Sequence, residues 1–285
     1  MTFPYTIKAV IEGAIAAGLV RVPRRYALVT GLGYAVTGSR QRLVTRLVRI
    51  LYWCALCRMH KVFFQNPDGK GLSRELGLLP ANIPSVVVNG SGVDVAQLSG
   101  RALSVGPRVF LLAACLLGDK GVREYVEPAW NMTAYNPGTV FRLVGWIDEN
   151  PYSIRKQELN DWMSEGVVEY LGRLSDVRLA VAGCTVYVLL PYRKETHRAV
   201  LEFMAMGRLI FTTYAPGCRE TVVDGDNGFL VPLKSIDVLV AAREKFIFSP
   251  DLVERMGKRS REIAESKYDA NVVMLREMGI EGEAK

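Results

Sequence analysis

Short apolar segments of strand length alternate with helix-like segments along almost the entire chain of 285 residues. The strand-like segments are YALVT, KVFFQ, SVVVNG, RVFLLAA, FRLVGW, VVEYLG, TVYVLLP, RLIFTT and GFLVP. The helix-like segments cover residues 41–58, 121–136, 156–165, 198–206, 235–246 and 251–278. Because apolar strands separated by helices are typical of a doubly wound α/β fold with a parallel sheet, we predict that fold class.

A run of turn-forming residues, NGSGVD at 89–94, predicts a domain boundary near residue 95. Residues 96–285 would then form a domain with six strands that ends in helices. Residues 1–95 contain three predicted strands, without the strand and glycine loop that usually open such a sheet. We therefore expect the first domain to be incomplete at its N-terminus.

The positive charge of the chain is concentrated near its start. The net charge is +7, but residues 1–80 carry twelve Lys or Arg and three acids, which gives +9 there and −2 in the remainder. A basic first third indicates an anionic partner: a membrane surface, a pyrophosphate or a nucleic acid. Solvated arginines on helix faces are the alternative. We predict no nucleic-acid partner, because the sequence contains no recognisable module of that kind and no interleaved aromatic residues.

The cysteines and the apolar segments indicate the cellular compartment of the protein. Five cysteines, an odd number, in apolar surroundings fit a reducing cytosol. Cys54 and Cys57 spell C-x-x-C within LYWCALC, and without a second pair nearby core packing is favoured over a redox or zinc site. The start of the chain faintly resembles a signal sequence, but Glu12 interrupts it. Since LVRILYWCALC is too short and too charged to span a bilayer, we expect a cytoplasmic protein, soluble or peripheral to the inner membrane.

An ordered series of short motifs follows the predicted elements. It consists of VTGLGYAVTG, FFQNPDGKG, VVNGSGVDV, LLGDKGVREYVE, FRLVGWIDENPYSI, VEYLG, the segment from VYVLLP to GFLVP, and SREIAESKYD. In order and spacing the series resembles the family 4 retaining glycosyltransferases of GT-B fold, of the bacterial kind that builds capsule, O-antigen or lipid-linked oligosaccharide. The resemblance covers nearly the whole chain. It implies two Rossmann-like domains, with an acceptor side at 1–95 and a donor domain at 96–285.

The resemblance also implies a reaction and its partners. A hexose or N-acetylhexosamine would pass, with retention, from a nucleotide-sugar donor, expected to be UDP-linked, to a polyprenyl-linked or polysaccharide acceptor. No cofactor and no metal ion are expected. The basic first third would then lie against an anionic membrane surface near the acceptor.

Departure of a diphosphate requires stabilisation of negative charge, which cations, helix N-terminal amides and glycine-rich turns supply. Lys120 in GDKG matches the family's diphosphate-binding lysine. The backbone amides of Arg198, Ala199 and Val200, at the start of a predicted helix, would face the phosphates. Glu202 matches the family's second glutamate, whose carboxylate accepts hydrogen bonds from the ribose hydroxyls.

Further residues are implied near the substrates. They are Cys115, Leu171, Pro216, Gly217 and Cys218 on the donor side, and Gly31, Gly33 and Tyr34 on the acceptor side. Glu220 and the turn DGDNG are expected to shape a loop rather than to touch substrate. Asp224 and Asp226 spell D-x-D, a metal motif of a different glycosyltransferase fold, but here they precede a predicted strand as a turn. The glycines after the first strand do not have G-x-G-x-x-G spacing, which disfavours a nicotinamide enzyme.

The segment before Glu202 departs from the family pattern. The family reads roughly S-Y-R-E-G-x-P-R-x-V-L-E, and this chain reads P-Y-R-K-E-T-H-R-A-V-L-E. Lys194 stands at the first motif glutamate and Glu195 at the adjacent glycine, so that the candidate catalytic positions are Lys120, Lys194, Glu195 and Glu202. A lysine cannot accept the hydrogen bonds that a sugar hydroxyl gives to a carboxylate.

A second departure affects the diphosphate. Cys115 stands where the family typically has an arginine that forms a two-cation clamp with the lysine. Losing one charge-assisted phosphate contact costs roughly 1.5–3 kcal/mol. These departures leave two hypotheses: a glycosyltransferase, with activity intact or impaired, or a catalytically silent nucleotide-binding protein that pairs with an active transferase.

Overall fold

The computed structural model describes residues 1–32, 42–100, 103, 106–135, 138–192, 197–233 and 249–273. The described residues form two compact units, which divide at Ser91 and Gly92 and again after Ala270. The first unit contains residues 1–91 and 271–273, and the second contains residues 92–270. The sequence-based division after residue 95 stays a prediction.

The first unit is built on a three-stranded parallel sheet in the order β1-β2-β3. Its elements in chain order are α1 (Ile7–Leu19), β1 (Tyr26–Val29), α2 (Arg42–Leu56), β2 (Lys61–Phe64), α3 (Pro67–Glu75) and β3 (Ser85–Val87). Helix α3 begins at a proline, and the side chain of Asn66 caps it by accepting a hydrogen bond from the Gly69 amide at 2.7 Å. The core of the unit lies between the sheet and helices α1 and α2, which pack against each other.

The second unit is built on a six-stranded parallel sheet in the order β6-β5-β4-β7-β8-β9. The strands are β4 (Arg108–Ala113), β5 (Thr139–Val144), β6 (Glu169–Tyr170), β7 (Val186–Leu189), β8 (Leu209–Thr213) and β9 (Gly228–Val231). The helices are α4 (Val122–Tyr135), α5 (Lys156–Ser164), α6 (Arg178–Ala182), α7 (Arg198–Ala205) and α8 (Pro250–Ile263). The short α9 (Ala270–Val272) begins at the last residue of this unit and continues into the first unit. A 3₁₀ turn, Gly118–Lys120, precedes α4, and a π-helical turn, Ala264–Tyr268, follows α8.

The six-stranded sheet is covered on both faces, as a doubly wound fold requires. Successive side chains of a strand point to opposite faces. Phe110 and Leu112 of β4 therefore lie in a core cluster with residues of α4, α5 and α8. Val109 and Leu111 lie in the opposite cluster, with residues of α6, α7 and the π-helical turn. The predicted fold class is confirmed.

Arg261 of α8 connects the start of the second unit to its core by hydrogen bonds. Its guanidinium donates hydrogen bonds to the carbonyl oxygens of Leu98, Ala205 and Val95, the last at 2.9 Å, and its Nε pairs with Glu265 at 2.6 Å. One planar, multiply donating group therefore satisfies backbone carbonyls from the start of the unit and from the end of α7.

All nine predicted strands are confirmed, within one to three residues at their ends. The predicted helices at 41–58, 121–136, 156–165 and 198–206 correspond to α2, α4, α5 and α7, and the last predicted helix begins at α8. The predicted helix at 235–246 lies outside the described residues. Helices α1, α3 and α6 were not predicted. Cys54 on α2 and Cys57, directly after it, are half-buried rather than packed in the core, so that part of the prediction is wrong.

Gly121 offers a direct test of how the second unit is packed. It has φ +73°, and a Cβ added there would lie 2.3 Å from the carbonyl oxygen of Leu190. We expect Gly121→Ala to lower the free energy of unfolding by more than about 2 kcal/mol, because strain at positive φ adds to a backbone clash. Chemical denaturation measures the difference.

Gly138→Ala is the matched control, since an added Cβ there would meet no heavy atom within 4 Å. Its free energy of unfolding should stay close to that of the unchanged chain. Equal stability of the two variants would show that the loops after β4 and β7 do not approach each other as described.

Candidate active site in the second unit

The order of the strands locates a crevice in the second unit. β4 is the first strand of this unit along the chain, yet it lies in the middle of the sheet, paired in parallel with β5 on one side and β7 on the other. The connections after β4 and β7 therefore run to opposite faces of the sheet, and their loops separate at the carboxyl ends of the strands. In open α/β sheets, ligands bind at such a switch point.

The two loops at this switch point are joined by close backbone contacts. The Tyr192 amide donates to the carbonyl oxygen of Asp119 at 3.0 Å. Gly121 follows the 3₁₀ turn that contains Lys120. The backbone of Gly121 has a left-handed conformation and lies directly against Leu190. Lys120, on the loop after β4, is thereby held beside the loop that leads into α7.

Lys120 also lies close to two cysteines that were predicted for the donor side. Burial raises the pKa of the Cys115 thiol, the Asp148 carboxylate adds to the rise, and the charges of Lys120 and Arg173 oppose it. Burial raises the pKa of Cys218 to about 11, again against the charge of Lys120. Both thiols are therefore neutral at physiological pH. The structure brings Cys115, Lys120 and Cys218 together at the same edge of the sheet.

Arg173 is a cation of this edge that the sequence analysis missed. The carboxyl ends of β4, β5 and β6 lie side by side, because the Gly145 amide donates to Gly172 and the Leu116 amide donates to Trp146, each at 2.9 Å. The Arg173 guanidinium lies over the Trp146 ring, 4.9 Å from its centroid. Each residue lies in the loop after a strand, but their proximity depends on the strand order, which the motifs alone do not show.

The start of α7 carries the next group of predicted residues. The N-cap residue His197 makes no side-chain capping hydrogen bond, so its side chain does not occupy the amides at the start of the helix. Glu202, one turn further on, accepts a hydrogen bond from the Arg198 guanidinium at 3.0 Å. The Glu202 side chain is 22% exposed and that of Arg198 is 73% exposed. The carboxylate therefore has an accessible, mobile partner that a ligand hydroxyl could replace.

A cleft of about 280 Å³ opens beside Glu202. Its lining includes Arg198, Glu202, Met206, Asp176 and Arg178. Asp176, on the loop between β6 and α6, forms an ion pair at 2.7 Å with Arg178, the first residue of α6. Leu171 is 40% exposed and directly follows β6. The cleft thus adjoins the loop after β6 and extends along α7 from Arg198 to Met206.

The loop after β8 is held by Glu220. The Gly217 amide donates to the Glu220 carboxylate at 2.6 Å, and Lys267 and Tyr268 donate to the Glu220 carbonyl at 3.0 and 2.6 Å. Pro216 and Cys218 flank Gly217, and the thiol of Cys218 is buried. These contacts agree with the expectation that Glu220 shapes this loop. They also occupy the Gly217 amide, so a role of that amide in donor binding stays a prediction.

The D-x-D pair forms a turn. The Asp224 carboxylate accepts a hydrogen bond from the Leu230 amide at 2.9 Å, and Asp226 pairs with Arg259 at 2.8 Å. Among the residues that the structure describes, no three His, Cys, Asp or Glu side chains are grouped as metal ligands.

Four predicted site residues, Gly33, Tyr34, Lys194 and Glu195, lie outside the described residues. Gly31 follows β1 in the first unit with φ +149°. The substitution pattern at Lys194 and Glu195 therefore stays a sequence observation.

Glu124 and Tyr192 form a contact that the motifs did not predict. The Tyr192 hydroxyl donates to one carboxylate oxygen of Glu124 in the first turn of α4. Burial raises the pKa of Tyr192, and the hydrogen bond to Glu124 adds to the rise. The second oxygen of Glu124 is buried without a hydrogen-bond partner in the described part of the chain. The contact fastens the loop before α7 to the loop that carries Lys120.

Residues 107–247 match the family model described as Glycosyl transferases group 1. This region is similar to a glycosyltransferase domain. It contains the loops that follow β4 to β8, and with them Lys120, Arg173 and Glu202.

Related proteins agree with this assignment. The chain is 28% identical over 279 residues to the N,N'-diacetylbacillosaminyl-diphospho-undecaprenol alpha-1,3-N-acetylgalactosaminyltransferase of Campylobacter jejuni, covering 93% of this chain and 72% of that protein. It is 24% identical over 289 residues to the capsular polysaccharide biosynthesis glycosyltransferase CapM of Staphylococcus aureus, covering 94% and 72%.

Solved structures share the fold. The Anabaena protein HepE, in a complex with UDP-glucose, superimposes with a TM-score of 0.78 at 20% identity, covering 97% of this chain and 77% of that one. A sucrose-phosphate synthase from Thermosynechococcus elongatus has a TM-score of 0.77 at 17% identity, covering 97% and 71%. These neighbours show that the chain has a fold of the GT-B type.

Tyr192→Phe tests the contact between the two loops of the second unit. The change removes the donor of a hydrogen bond to a partly buried carboxylate, so we expect the free energy of unfolding to fall by about 1–3 kcal/mol. Tyr152→Phe, at an exposed tyrosine, should leave it unchanged. A double-mutant cycle with Glu124→Gln measures the coupling, and a coupling energy near zero would contradict the contact.

Proposed function

We propose that the chain is a family 4 retaining glycosyltransferase with an altered active-site motif. It would transfer a hexose or N-acetylhexosamine from a UDP-sugar to a lipid-linked or polysaccharide acceptor, without a cofactor. The observation that carries the proposal is the grouping, at the switch point of a domain similar to those of glycosyltransferases, of Lys120, Arg173, the start of α7 and Glu202.

Each group has a physical role in this proposal. Lys120 and Arg173 provide positive charge for a diphosphate leaving group, whose developing negative charge must be stabilised. The amides of Arg198, Ala199 and Val200 add a helix N-terminus to the same site. Glu202 would exchange its pairing with Arg198 for the ribose hydroxyls of the donor.

The identity of donor and acceptor rests on the relatives. A structural neighbour forms complexes with UDP and with UDP-glucose. The C. jejuni relative is named for an undecaprenol-diphosphate acceptor and an N-acetylgalactosaminyl group, and the S. aureus relative is named for capsular polysaccharide biosynthesis. These names support a UDP-linked amino sugar or hexose and a lipid-linked acceptor.

A second candidate function is favoured by the chemistry at Cys115. Where the resembled family has an arginine, this chain has a thiol that stays protonated near neutral pH. A weakened clamp on the diphosphate, with Lys194 at a glutamate position, would suit a catalytically silent protein that binds nucleotide or pairs with an active transferase. Release of free UDP from UDP-sugar in the presence of acceptor distinguishes the two functions.

Calorimetric titration with UDP tests the donor site. We expect saturable binding that weakens about ten- to a hundredfold in Lys120→Ala and in Arg173→Ala, because each change removes one charge-assisted phosphate contact. Glu202→Ala should weaken binding as well. Lys258→Ala is the matched control, since Lys258 is an exposed lysine on α8, and its affinity should be unchanged.

The outcomes separate the parts of the proposal. No saturable binding at millimolar UDP, from a chain shown to be folded, would overturn the donor site. An unchanged affinity in Arg173→Ala alone would remove Arg173 from the diphosphate contacts and leave the donor site with Lys120.

Substitution at Cys115 tests whether the site is a weakened form of the family site. We expect Cys115→Arg to raise the affinity for UDP about ten- to a hundredfold by adding a second close cation, and Cys115→Ala to leave it unchanged. Adding Lys194→Glu and Glu195→Gly should raise the rate of UDP release further. If Cys115→Arg binds UDP no better than Cys115→Ala, Cys115 does not face the diphosphate.

A further inference from the structure

Helix α2 of the first unit has two apolar faces. Tyr52, Ala55 and Leu56 are buried in the core of that unit. Leu43, Leu47 and Ile50, spaced four and three residues apart, share the opposite face and are 85%, 57% and 52% exposed. We call these three residues the α2 stripe. Apolar side chains at helical spacing normally mark a face of a helix that is covered.

The neighbourhood of the α2 stripe is apolar as well. Val44, Leu51 and Trp53 on the same helix are 51%, 40% and 45% exposed. Helix α1, which packs against α2, ends in exposed Leu19 and Val20. Exposed large apolar side chains that gather on one part of a molecule mark a site of interaction.

Positive charge accompanies this apolar surface. The sequence has no acidic residue between Glu12 and Asp68, and the same stretch contains nine Lys or Arg. Arg46, exposed on α2, borders the α2 stripe, and Arg58 follows the helix, where it donates to the Cys54 carbonyl at 2.8 Å. The exposed surface of α2 is therefore both apolar and basic.

We propose that the α2 stripe binds the surface of an anionic lipid bilayer, with α2 parallel to the membrane plane. In this arrangement Leu43, Leu47 and Ile50 enter the boundary between headgroups and acyl chains, and the flanking arginines contact anionic headgroups. The inference goes beyond the proposed transfer reaction, because it concerns a surface of the first unit and does not depend on the donor site.

The charge of this surface favours an anionic bilayer over a second copy of the chain or a nucleic acid as its binding partner. A second copy of the chain would bring two strongly basic surfaces together, and like charges repel. A nucleic acid would satisfy the arginines but would leave the α2 stripe in water. An anionic bilayer satisfies both features. Among the described residues, no helix is long and apolar enough to cross a membrane, so the contact is interfacial.

Flotation of the full chain with vesicles tests the proposal. We expect binding to vesicles of phosphatidylcholine mixed with phosphatidylglycerol, at least tenfold weaker binding to phosphatidylcholine alone, and weaker binding as salt is raised. The variant Leu43→Gln, Leu47→Gln, Ile50→Gln should lose at least tenfold in affinity. Since the three side chains are exposed, its thermal unfolding midpoint should stay the same.

A matched triple variant controls for the number of apolar residues removed. Tyr152, Val223 and Leu233 are 58%, 56% and 47% exposed on the second unit, and changing all three to Gln should leave vesicle binding unchanged. Trp53 provides a local signal. Its fluorescence emission should shift to shorter wavelength with anionic vesicles, and the shift should be absent in Trp53→Phe.

Three results would overturn the proposal. The first is equal vesicle binding by the α2 variant and the unchanged chain. The second is equal binding of the unchanged chain to neutral and anionic vesicles. The third is no vesicle binding by a chain that instead forms a dimer, with the dimer absent in the α2 variant. UDP titration of the same preparations keeps the two proposals apart, because loss of UDP binding with intact vesicle binding would contradict only the donor site.

Discussion

The contact between the loops after β4 and β7 is the constraint on which the candidate site depends. Parallel pairing places β4 between β5 and β7, and the carboxyl ends of these strands therefore lie at one edge. At that edge Gly121 lies against Leu190, so closely that no other side chain fits without displacing backbone. The Tyr192 amide and hydroxyl add two hydrogen bonds, to Asp119 and Glu124. These contacts hold the turn that contains Lys120 beside the residues that follow β7.

Two cations, Lys120 and Arg173, lie near the Cys115 thiol at the same edge. The thiol of Cys115 is neutral, because burial and Asp148 outweigh the charges of Lys120 and Arg173. Arg173 comes from a neighbouring strand and is held over Trp146. Positive charge near the predicted diphosphate position is therefore supplied by two separate loops. An arginine at residue 115 would place a second cation directly in the loop of Lys120.

The first unit has a different physical character from the second. Its sheet has three strands, and helix α2 contributes Tyr52, Ala55 and Leu56 to its core. The opposite side of α2 exposes leucines and an isoleucine in a stretch without acidic residues. The periodicity of α2 was sufficient to predict a helix. It could not show which of its two apolar faces is buried, because both faces have helical spacing.

The sequence alone determined the class of the fold, the nine strands and the order of the motifs, because strand-forming apolar runs and helix signals are local properties. It missed α1, which lies in the segment that resembled a signal sequence, and α3, which contains two glycines. It identified Lys120 and Glu202 through motif spacing, but it missed Arg173, Trp146 and the pair of Glu124 with Tyr192. Only the tertiary structure shows these contacts. Residues far apart in sequence become neighbours through the strand order, and no local sequence pattern contains that order.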